Sequence, residues 1–384
     1  MNRIASGIIT VRLFAAMCLL VPLFSAFLAT SLFAQSAEIN TYRRYVKSGF
    51  ERLNAGEYKA ARDDFDSALS YWQDDASAYV GLGAVYFHLQ EDREAERALN
   101  QALAKNPRDK RAYQILGEIA YRRDDLAEAM IAWEKALEID PSDAALRSKV
   151  ERIKKEHRTE RDFNRDVTSH FTVKYEGRER IEAGRIILRI LEDAYGEVGR
   201  ALSYYPDQDV AVILYSGQQF QEVTDAPGWS GGIYDGKIRI PIGGIEQETP
   251  GLRRLLYHEY THAVVRAITR RVPTWLNEGL AQYFEGRSIE PSGAIALRGM
   301  LSAGKLPPLQ ALEGSFLGLN SSQAGLVYLI SLSAVRHMAD QYGMYRVKMV
   351  LEELAAGADM SKAVHTGLLV SYEDFERGWR RSLE

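Results

Sequence analysis

Cysteine is nearly absent from this 384-residue chain: Cys18 stands alone, inside an N-terminal apolar stretch. A chain without thiols beyond that stretch has no cysteine nucleophile, no thiolate metal site and no disulfide framework. No Gly-x-x-x-x-Gly-Lys loop is present to cradle a phosphate, and no serine sits at a nucleophile elbow. Neither sign of charge dominates, since 48 Lys and Arg face 52 Asp and Glu, for a formal charge of -4. That balance implies no basic face, and nucleic acid is not an expected partner. The local basic run from Arg147 to Arg165 reads as a solvated helix.

What is present begins with a targeting segment. Arg3 and Arg12 precede an apolar stretch from Leu13 to Ala34, and small residues near Ala34 and Ala37 offer imperfect signal-peptidase sites. Two readings stand, a cleaved signal peptide over residues 1–35 or an uncleaved membrane anchor over 13–34. Met17 before Cys18, with the apolar run continuing after it, argues against lipid attachment there. Either reading places the remainder outside the bacterial cytoplasm, in the periplasm or cell envelope.

Between about Tyr42 and Pro141 the sequence repeats itself every 34 residues. That step aligns Tyr45 with Tyr79 and Tyr113, Gly49 with Gly83 and Gly117, and Ala61 with Ala95 and Ala129. It also aligns Phe65, Leu99 and Trp133, then Ala68, Ala102 and Ala136, while Pro107 and Pro141 close the second and third units. Small residues let two helices approach, large apolar ones fill the seam between them, and proline stops the second helix. The pattern resembles the tetratricopeptide repeat. The resemblance implies an α-solenoid of about three hairpins over residues 38–165, with Asp143 to Phe163 as a charged capping helix begun by Ser142 or Asp143. Such an array implies docking of a substrate or another protein. A spacer that binds nothing is the bland alternative.

From about Asp166 the texture changes. His170–Tyr175 and Lys237–Ile242 alternate as strands do, Asp209–Tyr215 is a β-branched run, and a helix is expected from about Arg180 to Tyr204. Gly228–Gly232 and Asp235-Gly236 mark turns. After Gly251 nearly everything reads as helix.

Inside a helix expected over Leu252 to Thr269 lies His258-Glu259-Tyr260-Thr261-His262, an H-E-x-x-H pattern. Histidines four apart stand about 40° apart around a helix and about 6 Å along it, so both imidazoles reach one metal ion. Chance alone produces this pattern in about one chain in a hundred of this length at average residue frequencies. A second stretch therefore matters. Pro273-Thr274-Trp275-Leu276-Asn277-Glu278-Gly279-Leu280-Ala281 starts a new helix after a short break. If that helix doubles back, Glu278 comes alongside His262, with Gly279 and Ala281 small enough for close approach there.

These two stretches together resemble the gluzincins, and among them the peptidase MA-like domains with their Trp-Leu-x-Glu-Gly-x-Ala segment. The resemblance covers about Phe171 to Tyr342 and implies an α+β zincin-like metallopeptidase domain over residues 166–384. It implies Zn2+ held by His258, His262 and Glu278, with Glu259 as the general base that works on a zinc-activated water. It also implies an oxyanion donor on the helix from about Ala324 to Tyr342. Tyr328 and His337 face opposite sides of that helix, and Tyr328 fits the family's tyrosine-bearing helix.

Two departures qualify the match. The Gly-x-Met-Glu-Asn stretch of zinc aminopeptidases is replaced by Gly231–Ile240, which favours an endopeptidase. Gln282 stands where a carboxylate often supports a ligand histidine, so that support has no candidate. His88, His157, His170 and His365 are isolated and read as incidental. The chain is thus expected to be mostly α with a small α+β part, a repeat array followed by a zinc peptidase acting on protein or peptide. The competing readings are a non-catalytic repeat scaffold with a peptidase-like binding domain, and a zinc hydrolase acting on a cell-wall peptide.

Overall fold

Each repeat is closed by a glycine against a large apolar side chain. In the computed structural model, residues 35–55 form helix α1, which pairs with α2 (Tyr58–Tyr71); α3 (Ala76–His88) pairs with α4 (Asp92–Lys105), and α5 (Lys110–Arg122) with α6 (Leu126–Ile139). A Cβ added to Gly49 would stand 2.7 Å from Phe65, and one added to Gly83 would stand 2.5 Å from Leu99. Gly117 meets Trp133 in the same way. The residues that recur every 34 positions are therefore the ones that let paired helices touch. Helix α7 (Ala144–Glu160) follows, its N-terminus capped by the Asp143 side chain, which accepts from Leu146 N. Leu146, Val150 and Ile153 of α7 complete the core of Trp133 and Ala136.

The structure describes residues 35–177, 180–224, 231–241, 245, 247–316 and 318–384. The apolar segment at 13–34, with Cys18, and the turn residues Gly228 to Ser230 lie outside them. Among the described residues no helix is long and apolar enough to cross a membrane. The chain forms two compact units, one ending at Ala112 and one running from Tyr113 to Glu384. The division falls inside the third hairpin, so most of that hairpin and all of α7 belong with the sheet that follows.

The sheet has five strands in the order β1-β2-β3-β5-β4. These are β1 (Asn164–Val167), β2 (Phe171–Tyr175), β3 (Val210–Tyr215), β4 (Ile233–Tyr234) and β5 (Ile238–Pro241). The inner pairs β2–β3 and β3–β5 are parallel, whereas β1 and β4 run antiparallel at the two edges. Between strands lie α8 (Ile181–Leu202) and the short α9 (Gly217–Thr224). Side chains alternate across the sheet. Phe171, Val173, Val212, Leu214, Ile238 and Ile240 pack with α8 and with α10 (Pro250–Ile268). The opposite face carries Ala211, Ile213 and Tyr215 against Phe220 and Val223 of α9. Beyond α10 come α11 (Thr274–Phe284), α12 (Pro291–Ser302), a 3-10 turn at Leu309–Leu312, α13 (Ser321–Tyr342), α14 (Met344–Ala355), α15 (Met360–Leu368) and α16 (Tyr372–Ser382), around their own apolar core.

That second sheet face also buries charge. Lys174, Lys237 and Arg239 project from β2, the start of β5 and β5 itself into carboxylates of the repeat region. Lys237 Nζ, whose side chain is fully buried, reaches Asp124 at 2.7 Å and Glu156 of α7 at 2.9 Å. Arg239 Nη2 meets the same Glu156 oxygen at 2.9 Å, and Lys174 Nζ lies 3.1 Å from Glu160. Tyr215 Oη donates to Glu160 as well. Burial would lift the Glu156 carboxyl, but Arg239 and Lys237 hold it well below the usual range. Glu160 is raised instead, by burial and by repulsion from Glu156. Removing one partner from a buried pair strands a charge, and Lys237→Met is expected to cost about 3–5 kcal/mol of unfolding free energy at neutral pH. Lys135→Met, in an exposed pair with Glu138, should leave stability nearly unchanged when both variants are compared by urea titration.

Candidate metal centre

Helix α10 starts cleanly, with Thr249 Oγ1 accepting from Leu252 N at 3.1 Å and Pro250 in the first turn, where its missing N–H costs nothing. His258 and His262 therefore sit well inside a regular helix, on one face. After Ile268 the chain turns back through residues 269–273. Pro273 caps α11, and Thr274 N donates to Glu313 O at 3.1 Å. Glu278 follows one turn into α11, facing both histidines.

The three side chains converge. Glu278 Oε2 lies 3.6 Å from His258 Nε2 and 3.7 Å from His262 Nε2. All three donor atoms lie within 4.8 Å of one another. These separations are long for hydrogen bonds. They approach the roughly 3.3–3.4 Å between neighbouring ligands on a tetrahedral ion bonded at about 2.0–2.1 Å. Two imidazoles and one carboxylate are three donors, the number that a catalytic metal site takes from its protein. A second cluster, Asp124, Glu156 and Glu160, is as compact, but its carboxylates are already committed to Lys174, Lys237 and Arg239.

Glu285 supports the centre and is absent from the reading of the sequence. His258 Nδ1 donates to Glu285 Oε2 at 2.9 Å, which turns Nε2 toward Glu278 and His262. Arg287 Nε holds the other oxygen of Glu285 at 2.7 Å. Gln282 does something different. Its Nε2 donates to Tyr328 O at 2.9 Å, tying α11 to α13. Gly279 also serves α13 rather than α10, because a Cβ there would stand 2.5 Å from Ser331 O. His262 Nδ1 is buried without a well-formed hydrogen bond, beside Asn277.

Burial and charge set the protonation of the centre. Burial would lower His258, but its contacts with Glu278 and Glu285 and the charge of Glu259 outweigh it and push it up to about 10. His262 is lowered by burial, with Glu278 opposing. Burial would also lift Glu278, yet its contact with His258 and the charges of His262 and His258 keep it below its ordinary value. Glu259 is 5% exposed and pushed up to about 7 by burial, with Glu278 and Glu285 adding to the rise and His258 opposing it. Gly232, just before β4, faces it, since a Cβ there would lie 3.5 Å from Glu259 Cγ. Tyr328 is half-buried, its phenol raised to about 12 by burial and by the charges of Glu278 and Glu259. His337 points elsewhere, onto Phe375 of α16 at 5.9 Å.

Comparison with known proteins divides the chain in the same order. Residues 198–384 match the Peptidase MA superfamily, and residues 52–119 and 110–143 match tetratricopeptide repeat models. Among curated proteins, cellulose synthase operon protein C of Komagataeibacter xylinus is 40% identical over 62 residues, and that of Komagataeibacter sucrofermentans is 36% identical over 62. Each match covers 16% of this chain and only 5% of the relative's length, within the repeats. Among solved structures, the first repeat domain of Spaghetti (RPAP3) bound to an HSP90 peptide is 21% identical with a TM-score of 0.30, covering 30% of this chain and 95% of that one. The first repeat domain of human RPAP3 is 22% identical with a TM-score of 0.29, covering 30% and 90%.

The centre makes two predictions about metal binding. Glu285→Gln should weaken affinity about 10- to 100-fold, as removal of such a support does. Because His258 holds a proton up to about pH 10 without metal, binding must expel that proton. Affinity should therefore rise with pH across the neutral range, by about tenfold per unit for each proton released. Titration calorimetry with Zn2+ in buffers of different ionisation enthalpy measures both effects.

Proposed function

We propose that this chain, in which tetratricopeptide repeats precede a peptidase MA superfamily domain, is a zinc-dependent endopeptidase of the gluzincin type, exported to the bacterial cell envelope. The observation that carries the reading is the meeting of two imidazoles and a carboxylate from consecutive helices, with a buried carboxylate between the histidines in sequence. His258, His262 and Glu278 would hold the ion. When bound, Zn2+ would polarise a peptide carbonyl and make a water acidic enough to attack it near neutral pH.

The remaining work falls to the chain itself. Glu285 fixes the tautomer of His258 and so keeps its Nε2 lone pair available. Glu259, lifted to about 7, is matched to accept a proton from the attacking water and to return it to the leaving amine. The Tyr328 phenol would donate to the oxygen on which charge develops; the hold of Gln282 on the Tyr328 carbonyl favours a fixed backbone for that donor. Strand β4 is an edge of the sheet, and the Gly232 that precedes it lies against Glu259. An edge strand suits pairing with an extended peptide. No Gly-x-Met-Glu-Asn stretch offers a carboxylate to a free amino terminus, so cleavage within a chain is favoured over trimming. The repeats would dock the substrate or a partner, and residues 1–35 would direct export, by cleavage or as an anchor at 13–34.

Metal analysis and a cleavage assay on an unfolded protein such as casein test this directly. About one zinc per chain is expected in the wild type and in Glu259→Gln, and none in His258→Ala. Glu259→Gln should lose at least about 100-fold in turnover while keeping its metal. A zinc-loaded wild type that cleaves neither casein nor cell-wall peptides would leave the non-catalytic scaffold as the better account.

A further inference from the structure

Strand β4 is only two residues long, Ile233–Tyr234, and among the described residues it pairs only with β5. A hairpin of that length is marginal on its own ladder bonds, so something else must fix the edge that flanks Glu259. Its partner β5 supplies the link through Arg239. The Arg239 backbone stands opposite Ile233, and its carbonyl would lie 3.3 Å from a Cβ on Gly232. The guanidinium is tied on every side. Nε donates to both oxygens of Asp235 at 3.1 and 3.2 Å, closing the β4–β5 turn on itself. Nη1 donates to Tyr215 Oη at 2.7 Å. Nη2 donates to Tyr121 Oη of α5 at 2.7 Å and to Glu156 of α7 at 2.9 Å. The adjacent Lys237 shares Glu156 and adds Asp124 from the turn before α6.

Of the four side chains hydrogen-bonded to that guanidinium, Tyr121 and Glu156 come from the repeat region, and Glu160 of α7 lies 3.6 Å from Nη1 as well. We propose that Glu156 and Asp235 are positioning residues for substrate, holding Arg239 so that the β4 edge keeps its place beside Glu259. The last repeat and its capping helix then shape the peptide-binding edge without touching peptide. What this says about substrate rests on the peptidase reading above; the bracing of the strand does not. A purely structural cluster would lower stability when cut and leave peptide affinity alone.

The test uses the full-length, zinc-loaded protein. Asp235→Asn is the first variant, since that carboxylate sits at the rim of the cluster with its side chain 30% exposed; Glu156→Gln is the second, and Asp235→Glu is the conservative control. Hydrogen exchange is followed in peptides covering 232–240 and 250–285, alongside zinc affinity. Binding of a fluorescein-labelled casein peptide is measured in a Glu259→Gln background, where turnover does not interfere. We expect faster exchange confined to 232–240, unchanged zinc affinity, and peptide affinity weakened about five- to tenfold, on the scale of one lost positioning contact. Asp235→Glu should recover most of that affinity. In the active protein the same loss should appear in KM, with kcat within about twofold.

Unchanged exchange and affinity in Asp235→Asn would overturn the proposal, as would exchange that rises equally across both regions. Peptide binding by the parent with no cleavage by the wild type would sink the catalytic reading alone, and the variants would still decide the brace. A zinc-loaded parent that binds no peptide would sink both.

Discussion

How closely α11 can lie on α13 governs most of the candidate centre. Gly279 has no room for a Cβ because the Ser331 carbonyl occupies it. On the same short helix, Glu278 faces the histidines, Gln282 holds the Tyr328 carbonyl, and Glu285 holds His258. A methyl group at Gly279 would push α11 off α13 and move all three together. The glycine acts through distance: it sets where one helix lies, and the three side chains inherit that position. The stretch from Trp275 to Ala281 therefore carries Glu278 and, directly after it, the glycine that sets its position.

Much of this was legible in the sequence. The 34-residue period could be read because one contact, Gly49 with Phe65, is repeated at Gly83 with Leu99 and at Gly117 with Trp133. The spacing of His258, His262 and Glu278 could be read because helices convert spacing into direction. Glu285 obeys the same rule, seven residues after Glu278 and so nearly on the same face. Gln282, one turn after Glu278, carries an amide, and the supporting carboxylate lies a turn further on.

Other features had no local signal. Strand β1 is largely exposed, so it lacks the apolar alternation that marks a strand. Lys237-Ile238-Arg239-Ile240 alternates well and locates β5, but alternation cannot say whether the charged face meets water or protein. Here it meets protein, because the counter-ions come from Asp124 and Glu156, far back in the chain. The change of texture near Asp166 is a real change of secondary structure. The compact units divide instead at Ala112 and Tyr113, where packing, not periodicity, sets the limit.

The two charged assemblies in the second unit differ most in how far apart their members lie along the chain. The groups of the candidate centre from His258 to Glu285 lie on two consecutive helices and the C-cap of the second. The ionic cluster joins residues separated by 113 positions at Lys237 and Asp124, and by 83 at Arg239 and Glu156. Closing a loop costs entropy that grows with the logarithm of its length, and distant pairings form late. A helical hairpin with its donor atoms in place is a local event, whereas the seam between α7 and β5 waits for the whole sheet. During folding, the meeting of His258, His262 and Glu278 is in this way uncoupled in time from the seam between α7 and β5, and the first can be in place before the second closes.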